Sequence, residues 1–145
     1  MPIDKKFIGK SYPSYTYDVC KEKIKEYAKA VKTFDPHYVD EMFAKKSQYG
    51  VIIAPPTFAV VFGAYVIEPI FLDAELALNM AMLVHGEQDM EFFEVVKAGD
   101  SITISGVISD IQNKEKVDTI SVAVTSKNQY GRMVCRAVYT FVVRK

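Results

Sequence analysis

Hydrophobic and polar residues alternate along most of the C-terminal half of the chain. Ile102 and Ile104, for example, are separated and flanked by serine and threonine residues. Apolar residues at every second position are typical of a β-strand that buries one face. The pattern predicts four long antiparallel strands, at residues 82–96, 102–108, 119–125 and 133–143. Glycine-containing or polar turns are predicted between them, at residues 97–100, 112–116 and 128–131.

The middle of the chain has a different pattern. After Pro55 and Pro56, apolar residues occur on every face of a helix rather than at every second position, at Phe58, Val61, Phe62 and Tyr65. Proline is well tolerated in the first turn of a helix, because its missing N–H would have no partner there. A helix that is apolar all round is expected to be buried on all sides. Glu68 and Asp73 interrupt the run before the roughly 20 apolar residues that a membrane span requires.

The N-terminal third predicts a strand and two helices. Residues 11–17 alternate in an aromatic-rich strand, and Asp18 is a candidate N-cap for the helix that follows. In that helix the apolar residues recur at helical spacing, at Ile24, Tyr27, Ala28 and Val31. A shorter helix is predicted at residues 36–46, with Asp35 as its cap and Pro36 in its first turn.

Together these elements predict an α+β domain of the hot-dog fold, in which an antiparallel sheet wraps around one long buried helix. Residues 68–82 connect the helix to the strands and are predicted as a loop with one helical turn at 73–79. The chain length of 145 residues is that of one domain with a proper core, so we expect a single domain over residues 1–145.

Composition narrows the possible functions. Lysine plus arginine and aspartate plus glutamate number 18 each, so no excess of basic charge indicates a nucleic-acid partner. The N-terminus has no apolar signal core, which favours a cytoplasmic protein. Cys20 and Cys135 are expected to be small buried hydrophobic residues. The two histidines, His37 and His85, form no cluster for a metal ion, and we expect neither metal nor cofactor.

Several segments, taken together, resemble a known family. They are Lys32-Thr-Phe-Asp-Pro-His-Tyr-Val-Asp40, Ala54-Pro-Pro-Thr-Phe58, His85-Gly-Glu-Gln88 and Ala98-Gly-Asp100. In this order they are similar to the MaoC-like dehydratases, which include the (R)-specific enoyl-CoA hydratases. They most resemble the non-catalytic subunit of heteromeric (3R)-hydroxyacyl-thioester dehydratases. The resemblance extends from about residue 5 to residue 143.

The resemblance implies a catalytic pattern that this chain lacks. Active members carry an Asp and a His in a Gly-Asp-x-Asn-Pro-x-His segment, and a glycine N–H at the start of the buried helix holds the thioester oxygen. Aligned on Pro36, the Asp position is occupied by Thr33 and the His position by Tyr38. Neither residue is a base near neutral pH. Pro56 occupies the glycine position and has no N–H to donate.

The resemblance therefore implies a subunit that binds an acyl thioester, as acyl-CoA or acyl-ACP, beside a MaoC-type catalytic subunit. The expected substrate-binding residues are Pro56, Thr57, Phe58, Phe62, His85 and Gly86. The chain is expected to form a homodimer or such a heterodimer, and to bind no membrane. An aromatic set comprising Phe58, Phe62, Phe92, Phe93 and Tyr139 is a candidate lining for an acyl tunnel, although core packing alone would also explain it.

Three alternatives remain open. The chain is a self-sufficient homodimeric hydratase if Asp35 or Asp40 acts with His37, although Asp35 is equally a helix cap and His37 a solvated residue. It is a non-enzymatic acyl-CoA-binding homodimer if no catalysis occurs. A thioesterase is the weakest alternative, because no carboxylate stands out on the buried helix. His85 is expected either to face the active site of a partner or to lie at a dimer seam or sheet surface.

Overall fold

The computed structural model describes residues 2–145. The strands are β1 (Tyr15–Asp18), β2 (Leu83–Phe92), β3 (Ser101–Asn113), β4 (Val117–Lys127) and β5 (Met133–Arg144). The α-helices are α1 (Lys21–Ala30), α2 (Pro36–Val39), α3 (Glu41–Lys46) and α4 (Ala59–Phe71). A 3-10 turn at Pro56–Phe58 leads directly into α4. The predicted order of elements is thus confirmed.

The five strands form one antiparallel sheet in the order β1-β3-β4-β5-β2. The period-two pattern predicted for the C-terminal half is confirmed. In β4, Ile120, Val122 and Val124 are buried, while the residues between them are half-buried on the opposite face. Such alternation is typical of a sheet with one face packed on a core. Strands β1 and β2 lie at the two edges of the sheet.

Helix α4 lies across the inner face and packs against β1, β3 and β4. Its buried residues follow helical spacing along one stripe, at Ala59, Phe62, Gly63, Val66, Ile67 and Ile70. This long central helix under an antiparallel sheet is the predicted hot-dog fold.

The expectation that α4 is buried on every side is wrong. Tyr65 is 42% exposed, and Ala64 and Glu68 are also exposed, because the sheet covers only one side of the helix. On the uncovered side the Tyr65 ring stacks on Tyr15 of β1, with 4.3 Å between ring centroids. The helix also continues past Glu68 to Phe71, so residues 68–82 are not simply a loop.

Other boundaries differ because hydrogen bonds from distant residues compete with the local signal. Asp18 was expected to cap α1, but it pairs with Ser101 in the sheet, and the cap position is Cys20. Cys20 is exposed rather than buried, whereas Cys135 is buried as predicted. Strand β2 ends at Phe92 instead of residue 96. The segment after it turns toward the loop before α4, where the Val96 carbonyl accepts a hydrogen bond from Ala54 N–H at 2.8 Å.

Within residues 2–145, no helix is both long enough and apolar enough to cross a bilayer.

Candidate functional site

A cavity of about 260 Å³ lies at the N-terminal end of α4. Its lining comes from four separate parts of the chain: the segment from α2 to Tyr49, the loop before α4 with the first residue of that helix, the end of β2 with the segment after it, and the start of β5. The cavity brings together Tyr38 and Pro56, the residues that the resemblance is expected to place at the His and glycine positions. Thr33, at the Asp position, is not among the lining residues, and its N–H donates to the Ala28 carbonyl at 2.9 Å.

Backbone hydrogen bonds on both sides hold the loop before α4. Ile53 N–H donates to the His37 carbonyl at 3.1 Å, and Ala54 N–H donates to the Val96 carbonyl at 2.8 Å. The next two residues are Pro55 and Pro56, which have no N–H and therefore need no acceptor. Along residues 53–56 of the wall, each backbone N–H is thus either paired or, at the two prolines, missing.

The titratable side chains around the cavity give it little capacity for proton transfer. Burial raises the pKa of Tyr38, and nearby Asp35 raises it further, so its hydroxyl stays protonated at neutral pH. Burial also raises the pKa of the Cys135 thiol to about 11, so it is not a thiolate at neutral pH. Among the described lining residues, the one carboxylate is Glu94, which is exposed at the rim.

The side chains of Asp35 and His37 do meet. His37 Nδ1 lies 2.7 Å from Asp35 Oδ1, and the same carboxylate accepts a 2.9 Å hydrogen bond from His37 N–H. These two hydrogen bonds, the backbone one first, lower the pKa of Asp35. Asp35 is therefore the cap of α2, as predicted, and also orients the imidazole. The pair is at the surface, where the His37 ring packs edge-on against Phe43.

Asp40, the other aspartate that was considered as a catalytic partner of His37, has a different environment. Its Oδ1 accepts hydrogen bonds from Met42 N–H at 3.0 Å and Phe43 N–H at 3.1 Å. It thereby caps α3, and the helix predicted over residues 36–46 is divided into two short helices, each with its own aspartate cap.

Of the six expected substrate-binding residues, Pro56 lines the cavity and the other five do not. Phe58 and Phe62 are almost fully buried in the core, where they pack against each other. Thr57 is exposed, and its hydroxyl accepts a hydrogen bond from the Tyr27 hydroxyl at 2.9 Å.

His85 lies in a groove that runs along α4 from Val60 to Phe71, whereas Gly86 lines neither this groove nor the cavity. The groove has a volume of about 420 Å³ and is lined by Val60, Ala64, Ile67, Glu68, Phe71, His85, Tyr139 and Phe141. A bulge between His85 and Glu87 interrupts the pairing of β2 with β5, and a Cβ on Gly86 would lie 2.7 Å from Val142 Cγ2. The His85 ring stacks on Tyr139 with 5.7 Å between ring centroids.

Sequence reasoning missed part of the cavity lining. Tyr49 and Glu94 were assigned no role, because they lie in segments that were predicted only as a loop and as the end of a strand. Of the aromatic set, Phe92 and Phe93 do line the cavity, whereas Tyr139 lines the groove. In the sequence, the signal for Glu94 was a single charged residue among the apolar residues at the end of the predicted strand.

Comparison with known proteins gives consistent results. The family described as "FAS1-like, dehydratase domain region" matches residues 6–137. A UPF0336 protein of Saccharopolyspora erythraea is 36% identical over 145 residues, which cover 99% of this chain and 93% of that protein.

Among solved structures, the HadBC complex (3R-hydroxyacyl-ACP dehydratase) from Mycobacterium tuberculosis has a chain with a TM-score of 0.81 at 25% identity. The match covers 94% of this chain and 96% of that chain. An (R)-hydratase from A. caviae involved in PHA biosynthesis has a TM-score of 0.70 and covers 92% of this chain and 94% of that one. At 13% identity, this second likeness concerns the fold alone.

Proposed function

The chain belongs to the FAS1-like dehydratase domain family, and we propose that it is the substrate-binding subunit of an acyl-thioester dehydratase or hydratase. In this reaction an (R)-3-hydroxyacyl thioester loses water across its second and third carbons to form the trans-2-enoyl thioester, or the reverse. The similarity to a chain of the HadBC complex supports this class of substrate. A partner subunit would supply the catalytic acid and base.

The single observation that supports a separate catalytic subunit is that Tyr38 and Pro56 line the same cavity. Elimination of water needs a base for the proton next to the thioester and an acid for the departing hydroxyl. It also needs donors for the oxygen that gains negative charge. Tyr38 remains protonated at neutral pH, and Pro56 has no N–H. Tyr38 and Pro56 therefore supply neither a base nor the backbone donor, and the one carboxylate of the lining, Glu94, is exposed at the rim.

The surfaces of this chain instead suit binding. The cavity is lined mainly by apolar side chains, and the groove near His85 is likewise mainly apolar. Both are lined by residues of α4 and of β2. Ligand sites of this kind are typically apolar with few polar groups. An acyl chain is the part of a thioester that such surfaces would bury.

Strand β2 provides a surface for the partner subunit. Within the described sheet it pairs only with β5, which leaves the polar backbone groups of its other edge free. Exposed apolar side chains lie along and just beyond it, at Val84, Phe92, Phe93 and Val95. An unpaired edge with exposed apolar residues is suited to pairing with another strand. The M. tuberculosis HadBC relative is itself a complex of two kinds of chain.

The test is hydration of an enoyl-CoA by the purified chain, followed by loss of ultraviolet absorbance, together with thermal shifts by acyl-CoA. We expect no turnover by the chain alone, a raised melting temperature with acyl-CoA, and turnover after a MaoC-type catalytic subunit is added. A ligand that binds only the folded state must stabilise it. Efficient turnover by the chain alone would overturn the proposal. Binding without turnover in any complex would indicate a non-enzymatic acyl-thioester binder.

A self-sufficient hydratase is the second candidate, because Asp35 and His37 form a hydrogen-bonded pair. In this case Asp35 would orient the imidazole, and His37 would act as the base. Asp35→Asn keeps a good helix cap but removes the charge. This candidate requires that the chain alone is active and that both Asp35→Asn and His37→Ala abolish turnover, while exposed Tyr130→Ala does not. Turnover that survives in His37→Ala would exclude it.

A further inference from the structure

The three acidic side chains of strand β2 all lie on one face of the sheet. Side chains at every second position of a strand share a face, so Glu87, Asp89 and Glu91 point to the same side. All three residues are exposed, whereas the two residues between them are half-buried on the side of the core. Their partners in β5 are, in the same order, Thr140, Val138 and Arg136. The outer face of this edge strand is thus a row of carboxylates.

Most of this negative charge is not neutralised within the chain. Glu91 forms an ion pair with the Arg136 guanidinium of β5. No ion pair of residues 2–145 includes Glu87 or Asp89. These two carboxylates are therefore available to interact with the side chains of another strand.

The same strand offers a free edge along which another strand can pair. Within the described sheet β2 is bonded only to β5, and exposed apolar side chains accompany it at Val84, Phe92 and Phe93. An edge of this kind pairs readily with a strand of a second chain. In such a pair, opposite charges that lie directly across from each other are stabilising and like charges are destabilising. The carboxylates therefore affect which chain pairs with β2.

A second copy of this chain is a poor partner for β2. Two copies related by a two-fold axis pair in antiparallel fashion, and their core sides match only where residues of the same face lie opposite each other. With the axis at Asp89, this residue lies opposite its own copy, and Glu87 lies opposite Glu91 of the second copy. With the axis at any other residue from 87 to 91, at least one acidic side chain still lies opposite another. Each of these registers places carboxylate against carboxylate.

We propose that the acidic face of β2 disfavours self-association and selects a different hot-dog chain, whose edge strand carries lysine or arginine at the opposite positions. This inference rests on the proposed function, which assigns a partner subunit to β2. In the selected complex, each carboxylate lies opposite a cation. Specificity of this kind comes from repulsion in the wrong pair as well as from attraction in the correct one.

A charge-swapped copy of the chain provides a basic partner of known shape for the test. It combines Glu87→Lys, Asp89→Lys and Glu91→Lys, with Arg136→Glu to restore the ion pair in reversed polarity. All four positions are exposed, so the fold should be retained, and thermal unfolding checks this.

A control variant reverses the same number of exposed carboxylates away from β2. It combines Glu22→Lys, Glu26→Lys and Glu115→Lys, which lie in α1 and in the turn between β3 and β4. Any association that depends only on a general change of net charge should appear with this variant as well.

Sedimentation velocity at low ionic strength measures the association of the wild type, the charge-swapped copy and their equimolar mixture. We expect each protein alone to remain monomeric and the mixture to form a dimer. The dissociation constant of the mixture should be lower than that of either self-association by about tenfold or more, because opposite-charge pairs replace like-charge pairs. Salt at about 1 M should remove the difference, because it screens exposed charges. The control variant mixed with the wild type should associate no more than the wild type alone.

Two results would overturn the inference. One is a wild-type homodimer whose dissociation constant is no higher than that of the mixture, and the other is a mixture that does not associate. Either result leaves the proposed function to be decided by acyl-CoA binding and by turnover with a catalytic subunit. A dimer in the mixture, together with failure of the chain to bind acyl-CoA in any complex, would instead overturn the proposed function and leave the selectivity of β2 intact.

Discussion

The backbone of Gly63 lies against the Tyr139 hydroxyl so closely that a Cβ added to Gly63 would overlap that oxygen. This contact joins the middle of α4 to β5 and sets how near the helix lies to the sheet. Glycine is normally unfavourable inside a helix. Here the close approach of the tyrosine explains its presence.

Gly63→Ala is therefore expected to destabilise the protein by about 1–3 kcal/mol, the usual cost of overpacking a core. This loss exceeds the gain of roughly 1 kcal/mol that alanine brings within a helix. Urea unfolding monitored by circular dichroism would measure it. Tyr139→Phe removes the overlapping oxygen. Gly63→Ala should therefore cost less unfolding free energy in a Tyr139→Phe protein than in the wild type. An unchanged or higher free energy of unfolding in Gly63→Ala would contradict the contact.

Asp40 is predicted to act as a helix cap and not as a catalytic base. Its carboxylate accepts hydrogen bonds from Met42 N–H and Phe43 N–H. Asp40→Ala should cost about 1 kcal/mol of unfolding free energy, whereas Asp40→Asn, which can still cap, should cost far less. Thermal unfolding of the two variants would measure the difference. If any turnover is found, Asp40→Asn should retain it, and a large loss in that variant would give Asp40 a catalytic role.

The carboxylate of Asp73 should make the protein sensitive to acid. Lys10 Nζ and the Tyr12 hydroxyl each lie 2.6 Å from Asp73 Oδ2, and these hydrogen bonds, that from Lys10 first, hold its pKa well below the usual range. A carboxylate with a lowered pKa in the folded state contributes stability above its unfolded pKa of about 4. This contribution is lost as the pH falls from there toward the folded value.

Asp73→Asn should therefore be less stable than the wild type at neutral pH, and the difference should shrink at about pH 3. Urea titrations at the two pH values would measure it, with Asp89→Asn, at an exposed position of β2, as the matched control. A difference that is the same at both pH values would show that the charge of Asp73 does not contribute.

The two cysteines should differ sharply in reactivity. Cys20 is exposed, whereas Cys135 is buried next to the cavity, and burial raises the pKa of its thiol to about 11. The thiolate is the reactive form. Iodoacetamide at mildly alkaline pH should modify Cys20 alone in the native protein, and both cysteines after unfolding. Mass spectrometry of peptides would locate the adducts. Rapid modification of Cys135 in the native protein would contradict its burial.

Element types followed well from local periodicity, but their ends did not. Asp18 has the residue type of a helix cap, yet pairing with Ser101 keeps it in β1. The apolar run after Phe92 looks like a continued strand, yet Val96 bonds to the loop before α4. Asp35, in contrast, was correctly predicted as a cap, because its acceptor bonds only to residues that follow it directly. Signals were reliable where the interacting residues were neighbours in sequence.

In the candidate site, too, features that depend on neighbouring residues were predictable, and features that depend on distant segments were not. The interpretation of Tyr38 and Pro56 needed only the residue types and their positions in the resembled segments. The position of Glu94 at the rim of the cavity could not be predicted, because it depends on which segments surround it. Phe58 and Phe62 were assigned to the substrate, but they pack in the core. Sequence alone does not distinguish an aromatic residue that lines a cavity from one that fills the space behind it.

The sequence by itself determined the four C-terminal strands and the central helix, and it placed Thr33, Tyr38 and Pro56 in the segments that resemble the MaoC-like dehydratases. These features depend on residue type and spacing along the chain. Only the tertiary structure decided which face of α4 is exposed, which residues share the cavity, and that β2 lies at an edge of the sheet. The physical reason is that burial and hydrogen bonding at these positions depend on contacts between segments far apart in sequence, which periodicity does not record.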